Sequence, residues 1–292
     1  MFKTNRKMEA IFKPLKEDLL SLFDKNYVEK AKELNNKLGV DLFEDNCVPM
    51  YFNGKFDAKT VFVMLNPGYS NKAYSFNTEH KKEYKNVDNF ISKQINHRFN
   101  FGNYMREKNK PKSFDLKQAA FLQYFNNSEI NIPENFWEKD LPIKLDAMEN
   151  VLMNKLQLEL VPYPSNEFKN LFGNKKMALN KIEFFITDIN RLLDAIAQYD
   201  RKYVIFGAKQ FIYLFQAYKE KYSGQVEFGE EKNFKIDGLQ NKVYFNTIKI
   251  IHNKKQINAG IAYSFPRRDL PNAYRQMSEY GKFCFEEMNS EE

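Results

Sequence analysis

Arginine placement is the first chemical signal in this chain. Only eight of its 45 basic residues are arginine, yet Arg267, Arg268 and Arg275 fall within nine positions. A guanidinium fork grips phosphate bidentately, so the cluster suits a polyanion. A second basic feature lies upstream. Between Ser70 and Lys112, ten basic residues stand against four acidic ones, nearly the whole of the chain's excess of +7. Tyr74, Phe76, Tyr84, Phe90, Phe99, Phe101 and Tyr104 run through the same stretch. Cations interleaved with rings suit phosphate contact plus base stacking. A solvated helical face is the competing account of that run.

Much other chemistry is excluded. The chain has no G-x-G-x-x-G, no G-x-x-x-x-G-K-[ST], no H-E-x-x-H and no G-x-S-x-G. His80, His97 and His252 lack metal-ligand spacing, and Cys47 and Cys284 are too few for a disulfide framework or a four-cysteine metal site. No cofactor is implied. The 292 residues are 43% apolar and 28% charged, ordinary for a globular chain. No apolar run approaches the roughly 18 residues of a membrane helix, and the first twenty residues contain no apolar signal core. The expectation is a cytoplasmic protein with no membrane partner.

The elements that must position these residues alternate along the chain. Apolar spacing predicts a helix from Met8 to Leu38, ended by Gly39. Thr60 to Leu65 reads as a buried strand feeding Asn66-Pro67-Gly68. Residues 71–150 are helical but irregular, broken by Pro111, Pro133 and Pro142. Leu156 to Val161 is a second strand, and Tyr203 to Phe206 a third. Around them lie helices over Lys181–Tyr199 and onward to Tyr222, then a turn region. Lys242 to Ile251 alternates like a half-exposed or edge strand, Ile257 to Tyr263 is the last strand, and Pro271 to Met288 closes as a helix. The pattern predicts one α/β domain with a mainly parallel central sheet flanked by helices. It carries an N-terminal helical segment (1–45) and a basic, aromatic helical insertion (70–150). Three strands end in proline-containing loops, and in open α/β sheets the ligand crevice lies at strand carboxyl ends.

Those loops carry a resemblance. Met64-Leu65-Asn66-Pro67-Gly68 resembles the first motif of the uracil-DNA glycosylase superfamily, in the G-[MI]-N-P-G form of its single-strand-selective and mismatch-specific branches. Tyr263-Ser264-Phe265-Pro266-Arg267-Arg268 sits where the second motif, H-P-S-P-R-N, is expected. Leu158-Glu159-Leu160-Val161-Pro162 resembles the N-L-x-P strand, and Val204 to Ala208 a later strand-to-helix turn. The resemblance implies a three-layer sandwich of the glycosylase type. It also implies hydrolysis of the N-glycosidic bond of a base flipped from single- or double-stranded DNA. In that scheme Asn66 holds the water through its side-chain oxygen and Tyr263 takes the place of the acid. Pro67 and Gly68 turn backbone amides toward the pocket, and Tyr69 or Phe76 stacks on the base. Glu159 reads the base edge, while Arg267, Arg268 and Arg275 hold DNA.

Departures from the motifs sharpen the expectation. Met64 replaces a glycine, and Tyr263 replaces the histidine that would stabilise the departing base; a phenol donates one hydrogen bond from a different place. Glu159 stands where the resemblance expects the asparagine that reads uracil. A carboxylate accepts from an exocyclic amine such as cytosine N4 and repels uracil O4. The expected substrate is therefore a cytosine-type or modified base. Blander accounts exist for each position: a structural turn at Asn66-Pro67-Gly68, a lysine partner for Glu159, a core role for Tyr263, and helix capping or solvent for the arginines. A non-catalytic nucleic-acid or nucleotide-binding protein is the alternative function.

Overall fold

The computed structural model describes residues 9–67, 86–89, 113–125, 132–165, 167–222, 225–239, 241–265 and 273–290. The chain starts with α1 (Glu9–Lys25) and α2 (Glu29–Leu38), followed by β1 (Phe52–Gly54) and β2 (Thr60–Met64). Next come α3 (Ser113–Leu122), α4 (Leu141–Met153), β3 (Lys155–Glu159), α5 (Lys175–Ala197), β4 (Tyr203–Phe206) and α6 (Gln210–Tyr222). A hairpin meander of β5 (Gln225–Phe234), β6 (Val243–His252) and β7 (Lys255–Ala262) precedes α7 (Ala273–Asn289).

All seven strands share one sheet in the order β1-β3-β2-β4-β7-β6-β5. The centre, β3-β2-β4-β7, is parallel. Both margins are antiparallel: β1 on β3 at one side, and the β7-β6-β5 meander at the other. The sheet is thus mixed, with its parallel part at the middle. β2, β3 and β4 are buried along their whole length, as strands covered on both faces must be. One face packs Val61, Val63, Leu156, Leu158, Val204 and Phe206 under α1, α2, α5 and α6. The other packs Phe62, Met64, Tyr203 and Ile205 under α3, α4 and α7.

Three departures from the sequence reading have local causes. The single N-terminal helix is two, because Asn26 adopts a left-handed conformation (φ 66°). The Glu29 N–H at the second helix start then donates to Ser21 Oγ at 3.0 Å. β5 falls where the sequence predicts a turn region. Of its ten residues only Val226 is buried, so it carries no alternating apolar signal and exists through pairing with β6. β6 is consequently internal to the sheet, though half-exposed as its alternation predicts.

Two glycines allow close approaches that hold this frame. A Cβ on Gly54 (φ +93°) would lie 2.1 Å from the Lys155 carbonyl oxygen, so β1 reaches β3 only without a side chain there. A Cβ on Gly281 of α7 would lie 1.9 Å from the Phe121 carbonyl oxygen of α3. No helix among the described residues is long and apolar enough to cross a membrane.

Candidate functional site at the carboxyl edge of the sheet

Because β2, β3, β4 and β7 are parallel, their carboxyl ends lie on one edge. The first two loops are stitched together there. Leu160 N–H donates to the Met64 carbonyl at 2.8 Å, Val161 N–H to Leu65 at 2.9 Å, and Ser165 N–H to Pro67 at 3.1 Å. Gly207 N–H, beyond β4, donates to the Val63 carbonyl at 2.8 Å. The loop after β7 returns through Phe265, whose ring lies 4.8 Å from that of Phe62 and 5.1 Å from that of Phe121. Loops distant in sequence therefore meet around the end of β2.

Asn66 is fixed by this arrangement. Its Nδ2 donates to the carbonyls of Pro67 (2.8 Å), Ser165 (3.0 Å) and Tyr163 (3.4 Å). Only the NH₂ end of an amide can face three carbonyls, so the side-chain orientation is unambiguous. Oδ1 is left pointing the other way, and among the described residues no donor meets it. Pro67 is buried and its carbonyl joins the network.

Glu159 is the register partner of Met64 and is 3% exposed. It belongs to a buried polar ladder that the sequence reading missed. Lys155, Gln157 and Glu159 alternate with Leu156, Leu158 and Leu160, which point into the opposite face. Lys155 Nζ donates to Gln157 Oε1 at 2.6 Å and to Gln118 Oε1. Gln118 Nε2 donates to Gln157 Oε1 at 2.9 Å, and Gln157 Nε2 donates to Glu159 Oε1 at 2.6 Å. Burial pulls Lys155 down to about 7, against the Asp115 and Glu159 carboxylates that favour its charge. The signal available in sequence was K-x-Q-x-E inside an apolar strand. Such alternation ordinarily marks a half-exposed strand, and only the cover provided by α3 makes it internal.

The opposite face of the same strand end holds a second buried cluster. Asp18 Oδ2 accepts from the Tyr51 hydroxyl at 2.6 Å and from the Tyr163 hydroxyl at 3.0 Å. Burial pushes the Asp18 carboxyl up to about 6 despite those donors. Arg191 Nη2 donates to the carbonyls of Glu159 (2.9 Å) and Leu160 (2.6 Å), ending β3. Its guanidinium lies 4.9 Å from the Tyr51 ring centroid.

Tyr263 is placed elsewhere. Its side chain packs against the cluster containing Leu158 and Val61, hence on the face away from Glu159. From β3 to β7 is three ladder spacings, about 14 Å. The hydroxyl donates to Asn246 Oδ1 at 2.6 Å, and the ring stacks on Tyr244 at 6.1 Å. Burial, reinforced by the Glu231 carboxylate, pushes its pKa upward, so it stays a neutral donor. Asn66, Pro67 and Glu159 thus lie at the ends of neighbouring strands, and Tyr263 lies on the other face, three ladder spacings from β3. Arg275 is exposed near the start of α7 and donates to Glu279 at 2.9 Å. Gly68, Tyr69, Phe76, Arg267 and Arg268 lie outside the described residues, as does nearly all of the basic stretch 70–112. Among the described residues, no three His, Cys, Asp or Glu side chains converge as a metal site would require. Compared with family models, curated proteins and solved structures, the chain matches none of them.

Proposed function

We propose that the protein is a DNA glycosylase-like hydrolase, with a three-layer sandwich of the glycosylase type, that releases a cytosine-type or modified base from a flipped nucleotide. The observation that carries this reading is the Asn66 amide. Three carbonyls claim its nitrogen and turn its oxygen away from them, two residues beyond the Met64–Glu159 register pair. An amide oxygen so fixed can orient a water for attack on C1′. Water adds its oxygen to that carbon, the N-glycosidic electron pair leaves with the base, and the base takes up a proton. Glu159 supports amine recognition, because a buried carboxylate can accept from an N–H at the base edge and cannot donate to a carbonyl.

The test is base release from oligonucleotides carrying uracil, cytosine or modified cytosines, with abasic sites revealed by alkali. Asn66→Ala should lower single-turnover release by about 100-fold or more while leaving DNA affinity within a few-fold. Full activity in that variant, or exclusive release of uracil by the unaltered protein, would refute the assignment.

One observation favours a second reading, a non-catalytic binder of nucleic acid. Tyr263, the residue at the acid position, spends its hydroxyl on Asn246 on the far face. Strongly salt-dependent DNA binding with no strand breaks after alkali would select that reading.

A further inference from the structure

The ladder beneath Glu159 is expensive. A lysine, two glutamines and a carboxylate are all at least nine-tenths buried where leucines would pack without desolvation cost. Its wiring has a direction. Gln157 Oε1 accepts from both Lys155 Nζ and Gln118 Nε2, so its Nε2 must face Glu159. Lys155 at the amino end of β3, a cation below about pH 7, is thereby joined through one oriented amide to a carboxylate at the carboxyl edge. Gln118 braces the middle from α3, and Gly54 lets the β1 backbone close over Lys155. Among the described residues, charge along the ladder comes from Lys155 and Glu159 on β3 and Asp115 on α3. β1 and β2 carry no charged side chain opposite it, and the buried residues of α4 are apolar.

We infer that Lys155, Gln118 and Gln157 form a buried relay that keeps the Glu159 carboxylate ionised and aimed at the sheet edge, so that Glu159 selects a base offering an amine hydrogen over one offering a carbonyl. The substrate half of this inference rests on the base-excision reading; the electrostatic half does not. Lys155, Gln118 and Gln157 are positioning residues. Removing the cation takes one positive charge away from a carboxylate in a dry site, which favours the protonated acid. A protonated carboxyl can donate as well as accept, and discrimination against a carbonyl then fades.

The experiment uses the full chain with Lys155→Met, which keeps the stem and removes the charge. Carbon-13 titration of glutamate carboxyls, with Glu159 assigned by its loss in Glu159→Gln, reads the relay without substrate. The Glu159 ionisation midpoint should rise by about one pH unit or more. Below both midpoints the preference for amine-bearing over uracil oligonucleotides should fall by about tenfold for each unit of that rise. It should return when the pH is raised by as much as the midpoint moved. A mere packing defect would lower it equally at every pH. Gln157→Met cuts the bridge while leaving Lys155 on Gln118; it should give the same pattern more weakly, and it decides the matter if Lys155→Met does not fold. In the unaltered protein the Gln157 side-chain amide hydrogens should exchange slowly. An unmoved midpoint, a preference that does not recover, or rapid Gln157 exchange each overturns the relay. Should the unaltered protein release no base at all, the base-excision reading falls while the midpoint still decides the relay.

Discussion

Replacing Asp18 by Asn should reverse its effect on stability between acid and neutral pH. Asp18 is 1% exposed and ordinarily ionises near 3.8; burial moves it to about 6 in the folded chain. A raised carboxyl pKa means that folding binds a proton. The resulting stability is fully present below the unfolded value and is lost as pH rises through the folded one. At about 1.36 kcal/mol per unit, the full span is about 3 kcal/mol, of which about 1.4 kcal/mol is recovered by pH 5. Both phenols donate to the same oxygen, Oδ2, so an amide oxygen in its place keeps both bonds. Asp18→Asn should therefore be neutral or mildly stabilising at pH 7.5. By pH 5 it should have lost about 1.4 kcal/mol relative to the parent, a swing of roughly 2 °C in Tm for a chain this size. Paired thermal or urea melts from pH 4.5 to 8 measure the difference, and groups titrating alike in both chains cancel from it. A difference that stays flat across that range would refute the account of a buried, proton-binding Asp18. Tyr163→Phe, which removes one donor, should raise the Asp18 midpoint further and steepen the dependence.

Other outcomes follow from the same contacts. Gly281→Ala places a methyl against the Phe121 carbonyl and should cost about 3 kcal/mol or more by denaturant melt, since neither backbone can retreat within a packed helix pair. Arg191→Met uncovers the Glu159 and Leu160 carbonyls and should cost about 3 kcal/mol; a loss under about 0.5 kcal/mol would show that the guanidinium is not needed there. If DNA is the partner, affinity should fall about tenfold or more between 50 and 200 mM salt, a steepness that several phosphate contacts require. A salt-insensitive interaction would exclude the basic stretch as a DNA-binding surface.

Strand positions were legible because their signals are local. Thr60–Met64 and Tyr203–Phe206 are short apolar runs followed by turn residues, and burial on both faces leaves no other way to satisfy them. Gly39 ends α2 in the left-handed conformation that its position foretold. β1, three residues long, and β5, almost wholly exposed, have no such signal, because backbone pairing with a neighbour creates them. Asn66 and Glu159 were legible as types at strand ends, and the register sets Glu159 beside Met64, two residues before Asn66. The placement of Tyr263 was not legible. Alternation decides which face a strand residue takes, and the bend after β7 sends Phe265, not Tyr263, back toward β2.

The sequence by itself determined that this is an α/β chain with loops at strand carboxyl ends, because apolar period and turn residues act over a few positions. Tertiary structure alone decided that Lys155, Gln157 and Glu159 lie inside. The same alternation faces water or core according to whether a helix distant in sequence covers it, and here α3 does.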